Sequence, residues 1–223
     1  MIEALRDWAE RYRSRGKYTP VGVAFHWIMA AVVLYQLFTG WMMQRHLVGA
    51  EKLEAYADHS QIGLTLLLFG ALRLAWRLMV PGPINDADEP GWRSDTAHAI
   101  HAAFYALFVI VPLSGWIMWS AIQPTRPLYL AALIPVPAMP FHTLSVEWQY
   151  RLLDIAEDVH VIGIVTLTLL VPAHAAAAIK HHFWDRDDVF EGMLPEVPDD
   201  FGHPSGAHYS PREQPSRSRP DAD

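Results

Sequence analysis

The sequence predicts an all-α protein, an integral membrane four-helix bundle, and three observations predict it. The 223 residues are 52% apolar and 18% charged with a mean hydropathy of +0.10. That is too apolar for an average soluble domain and too charged for a chain immersed throughout, so the charge must be segregated. It is: four apolar runs, about 21–43, 59–79, 97–122 and 157–183, are each long enough to cross a hydrocarbon core of about 30 Å, which takes about 20 helical residues. The third observation is that histidines fall inside these runs at two depths.

Residues 1–20 read as a charged, helical surface segment, with Trp8 and Tyr12 suited to the membrane interface and Thr19-Pro20 a start signal for span 1. In span 1, His26 comes about one turn in, and Gly40 follows fourteen residues later. Residues 44–58 read as a short connection. Span 2 opens with His59, carries Gly63 one turn further on and Arg73 fourteen residues on, and ends near Arg77. Residues 80–95 are a loop by their prolines, glycines and acids. Span 3 starts with His98 and His101, contains Pro112 and has no histidine at its other end, which makes it the poorest source of a ligand pair. Residues 123–158, rich in proline, read as an ordered external cap ending in a short helix, VEWQYRLLDIAEDV. Span 4 contains His160 and His174, with Pro172 between them expected to bend it. The segment 21–195 forms one four-span domain, and 196–223 reads as a disordered tail rich in Pro, Ser, Asp and Arg.

His160 and His174 carry the functional argument. Fourteen helical residues are about four turns, so the two imidazoles share a face, offset by roughly 40°, and lie roughly 21 Å apart along the axis. A polar ring inside a membrane is expensive and normally faces a partner. Neutral imidazoles on facing helices are a known way to hold haem iron in a helical bundle. Sorting by depth pairs His26 with His174 at one level and His59 with His160 at the other. Span 4 then serves two bis-histidine haem sites. Gly40 leaves room on span 1 at the outer level, as Gly63 does near His59, and Arg73 suits a propionate at the inner level. His98 and His101 read as interfacial groups or polar partners of a propionate rather than ligands.

The chain has no cysteine, which excludes iron–sulfur clusters, disulfides and haem attached through Cys-x-x-Cys-His. No secretory signal is expected, because the first 20 residues are charged and the apolar run after them is too long for a cleaved segment. No basic patch reads as nucleic-acid binding. An even number of spans puts both termini on one side. Of the 17 Lys and Arg, all but Arg45, Lys52, Arg126 and Arg151 lie in segments on that side, which the positive-inside rule makes cytoplasmic.

With those residues in place, the chain resembles the prokaryotic cytochrome b561 family over roughly 17–195. The likeness rests on KYTPVGVAFHW in span 1, DHSQIGLTLLLFGALRLAWRL in span 2, AHAIHAAFYALFVIVPLSGW in span 3, and HVIGIVTLTLLVPAHAAAAIKHHFWDRDDVFEGML at the end. The resemblance implies a four-span cytochrome of the bacterial cytoplasmic (inner) membrane with two haem b. Its axial ligands would be His26, His59, His160 and His174, as the depth argument pairs them. It further implies electron exchange between a quinone pool and a partner at one membrane face. Some members resemble superoxide oxidases that pass the electron to ubiquinone, and others are cytochrome subunits of a separate dehydrogenase.

The expected function is therefore electron transfer between a quinone and a donor or acceptor at the membrane face. Arg126 and Arg151 are candidates for attracting superoxide, and His181 for handling protons at a quinone site near the inner haem. Two alternatives remain open at this point: a haem-bearing anchor subunit of a dehydrogenase, and a transporter that uses the histidines for a metal ion or protons.

Overall fold

Among the described residues five α-helices account for most of the chain, and four of them are long and apolar enough to cross a membrane. The computed structural model describes residues 2–80, 82–83, 91–122 and 127–195. The expected tail 196–223 and most of the loop between spans 2 and 3 lie outside them.

Helix α1, Ile2–Arg13, lies against the inner end of span 2, where Trp8 meets Trp76 edge-on at 6.5 Å. Gly16, at φ +70°, then turns the chain back, a conformation an L side chain adopts at a cost. Helix α2, Pro20–Arg45, starts where Thr19 accepts a bond from the Gly22 amide through Oγ1 and Pro20 occupies the first turn.

Helix α3, Gly49–Met79, begins well before the expected span. The connection read at 44–58 is therefore mostly helix: EKLEAYADHS holds good helix formers and no breaker, so the span simply continues outward. Helix α4 is Trp92–Ala121 and runs through Pro112. Helix α5, Val146–Lys180, merges the short external helix and span 4 into a single rod of 35 residues, capped by Ser145. It continues through Pro172, whose missing N–H leaves the Thr168 carbonyl without its usual donor.

One element departs from all-α. Strands β1, Leu128–Leu130, and β2, Ile134–Val136, form an antiparallel hairpin with Leu128 opposite Val136. Its turn holds Ala131 and Ala132 at φ 50° and 58°, the positive values a type I′ turn requires. Side chains of α3 hold it down: the Tyr129 amide donates to Gln61 Oε1 at 3.2 Å and the Ala131 amide to Thr65 Oγ1 at 3.0 Å. Leu128, 1% exposed, closes an apolar cluster with Ala57, Leu64 and Trp119 at the outer end.

The strongly packed neighbours run α2–α3, α3–α4 and α4–α5, the last the most extensive. At Gly163 of α5 a Cβ would collide with Val111 of α4, the kind of close approach small residues permit in membranes. The pair α2–α5 is not among the strongly packed ones. Between the two histidine depths Met29, Val33, Leu66, Phe108 and Val171 pack together and separate the levels.

Candidate haem sites

At the outer level the ring centroids of His59 and His160 are 6.3 Å apart. At the inner level those of His26 and His174 are 6.2 Å apart. With a metal–imidazole bond of about 2.0–2.1 Å and a ring nitrogen about 1.1 Å from its centroid, two imidazoles on opposite sides of one iron have centroids about 6.3 Å apart. Both pairs have the spacing of bis-histidine ligation.

Proton placement at the outer pair also suits a metal. His160 Nδ1 lies 2.9 Å from the Val111 carbonyl, which can only accept, so Nδ1 carries the proton. Ser114 Oγ, 3.0 Å from the same nitrogen, donates to that carbonyl at 2.8 Å. Thr39 Oγ1 donates to the Gln36 carbonyl at 3.2 Å and therefore accepts from His59 Nδ1, also at 3.2 Å. Gln36 Nε2 in turn donates to the His59 carbonyl at 2.8 Å. Each ring thus keeps Nε2 unprotonated, and a carbonyl or hydroxyl orients it, the usual support of a metal-bound imidazole.

The inner pair matches in spacing and differs in its protons. Arg73 Nη2 lies 3.2 Å from His26 Nδ1, and a guanidinium has only donors, so this nitrogen accepts and Nε2 carries the proton. Iron at Nε2 requires the opposite tautomer and hence release of Arg73, which a propionate carboxylate would provide for. His101 stands at the same spacing from His174, 6.1 Å. α4 and α5, which carry His101 and His174, are among the strongly packed pairs, whereas α2 and α5, which carry His26 and His174, are not. Phe104, 5.4 Å from His174, fills the same α4 side.

The remaining candidates fall as follows. A Cβ on Gly40 would lie 3.5 Å from His59 Cε1, so Gly40 does face the outer pair, while Gly63 faces Gln36 at 3.4 Å. His98 is held by its own first turn, Nδ1 to the Ser94 carbonyl at 2.8 Å. His181 Nδ1 pairs with Asp187 Oδ2 at 2.6 Å and lies 3.3 Å from Asp185, which also takes Lys180 at 2.6 Å. Arg151 is exposed, paired with Glu147 at 2.9 Å and over the Trp148 ring. Arg126 lies outside the described residues.

Sequence reasoning missed span 3's part in the outer site. Val111, Ser114 and Gly115 crowd His160; a Cβ on Gly115 would stand 3.3 Å from its Cε1. The signal was present, since Gly115 follows His101 by the same fourteen residues that separate His26 from Gly40.

Residues 17–196 match the prokaryotic cytochrome b561 family. The chain belongs to that family. It is also 28% identical over 187 residues to cytochrome b561 homolog 2 of Escherichia coli (strain K12), covering 83% of this chain and 95% of the relative. As a cytochrome b561, the protein is a membrane electron-transfer oxidoreductase whose cofactor is haem b. Its four apolar helices face lipid, and the two imidazole pairs have a spacing that fits that cofactor.

Proposed function

We propose that this cytochrome b561 holds two haem b, one between His59 and His160 and one between His26 and His174, and carries electrons across the bacterial inner membrane. The two matched ring separations, both shared by α5 fourteen residues apart, carry this reading. Haem b supplies reversible one-electron chemistry at each level. The chain does the rest. Thr39 and the Val111 carbonyl hold the outer rings in the metal-binding tautomer, Met29, Val33 and Leu66 keep water from the space between the levels, and Arg73 supplies inner positive charge for a propionate.

Because two imidazoles would hold each haem, substrates would exchange electrons at the edge of the site rather than at the metal. The donor side is the outer face, where superoxide is the small substrate proposed and Arg151 a candidate cation to attract it. The acceptor is ubiquinone or another quinone at the cytoplasmic face, with His181 the proton donor. There Asp187 accepts from Nδ1–H and fixes the ring, which in its doubly protonated form can pass the Nε2 proton to a substrate oxygen. The surplus of Lys and Arg supports a cytoplasmic position for both termini.

Proteoliposomes test this directly. Superoxide generated outside should reduce an internal quinone pool only when haem is bound; no quinone reduction by the haem-loaded protein would contradict it.

A further inference from the structure

A groove of about 460 Å³ opens on the flank of the bundle between α2 and α3. Its floor is apolar, with Ile28, Val32 and Phe69, and Ile28 is 48% exposed toward what a membrane would fill with lipid. The β1–β2 hairpin forms its roof through Tyr129 and Ala131. At the polar end stand Tyr35, Asp58 and Gln61. A second space of about 140 Å³ shares Tyr35, Asp58 and Ile62 with it and reaches Thr39 and His59. The groove thus shares a wall with the space that lies against the outer imidazole.

Charge decides what fits. Among the described residues no Lys or Arg lines either space, so a phospholipid phosphate would face the Asp58 carboxylate with no described cation to compensate. Asp58 accepts from Gln61 Nε2 at 3.3 Å through one oxygen, which leaves the other for a donor. The Tyr35 hydroxyl has no hydrogen-bond partner among the described residues. A neutral head with hydroxyl groups and an apolar tail satisfies all of these.

We propose that this groove binds a hydroquinone in the outer half of the membrane, its head between Tyr35 and Asp58 and its isoprenoid tail along Ile28, Val32 and Phe69. The redox role rests on the reading of His59 and His160 as outer haem ligands; the binding does not. Oxidation of one hydroquinone breaks two O–H bonds. The oxidant would be ferric haem b, one electron going to each of the two proposed haems, and the two protons would leave in turn through the Asp58 carboxylate to outer water, giving the quinone.

The test uses a photoreactive azido-quinone on haem-loaded protein in nanodiscs, with labelled peptides mapped and haem quantified in the same samples. Label is expected in peptides spanning 28–35 and 58–66. It should fall about tenfold in Asp58→Asn, the size of one lost hydrogen bond to a charged group. Ile28→Trp, a substitution at a half-exposed position that fills the floor, should abolish it with haem content unchanged. Label confined to the inner end, label unaffected by Ile28→Trp, or a co-purified phospholipid that the quinone does not displace would each overturn the proposal. A loss of haem from the wild type would instead strike the proposed function and leave the labelling result standing.

Discussion

His160 is fixed by Val111, whose carbonyl takes the Nδ1 proton at 2.9 Å from the neighbouring helix. His160 and its support sit on the two most extensively packed helices, α4 and α5, and Gly163, where a Cβ would collide with Val111, permits that approach one turn along α5. A change at either helix surface therefore reaches the outer site through the orientation of one ring.

Gly115→Val should empty the outer site. A Cβ there already stands 3.3 Å from His160 Cε1, and valine's branches have no room unless the ring turns. Haem quantification is expected to show loss of the outer haem alone, whereas Gly40→Ala, at 3.5 Å from His59 Cε1, should retain both.

Thr39→Val removes the acceptor of His59 Nδ1 without changing shape. Losing such a supporting partner typically costs about 10–100-fold in metal-site affinity or activity. Haem titration of the apoprotein should show that weakening at the outer level only, and a redox titration should show a raised outer potential, because the imidazole becomes a poorer electron donor to iron.

Arg73→Leu removes the positive charge at the inner level. A hydrogen bond to a charged group is worth about 1.5–3 kcal/mol, so inner haem affinity should fall by about tenfold or more and its midpoint potential should drop. Arg73→Lys keeps the charge and should restore most of the potential but less of the affinity, since lysine lacks the guanidinium fork.

Asp187→Asn frees His181 from its 2.6 Å partner. Positioned proton transfer contributes about 10²–10⁴-fold to rates, so steady-state quinone reduction should slow by a factor approaching that range while haem content and spectrum stay unchanged. A variant with normal quinone turnover would remove His181 from the proton path.

The bundle was legible because lipid imposes a length on apolar runs, and the depth of each histidine follows from counting along a rod. His26 and His174 are paired by that count alone. Rotation of one rod against another is not in the count. It decides that Thr39 rather than Tyr35 meets His59, and that Val111 and Ser114 meet His160. His101 shows the same limit, since its 6.1 Å approach to His174 comes from how tightly α4 and α5 pack. Helix ends were read short where no residue stops the helix, as at Glu51–Asp58. The hairpin escaped notice because two strands of three residues, turned on Ala131 and Ala132, carry no Asn-Gly or Asp-Gly signal.

The most direct measurement is haem per chain, with a dithionite-reduced minus oxidised spectrum, on wild type, His160→Ala and His174→Ala. Two b-type haems in the wild type, falling to about one in each variant with loss of a different spectral component, is the predicted result. A single haem in the wild type, or a variant that keeps both, would contradict the pairing of His59 with His160 and His26 with His174.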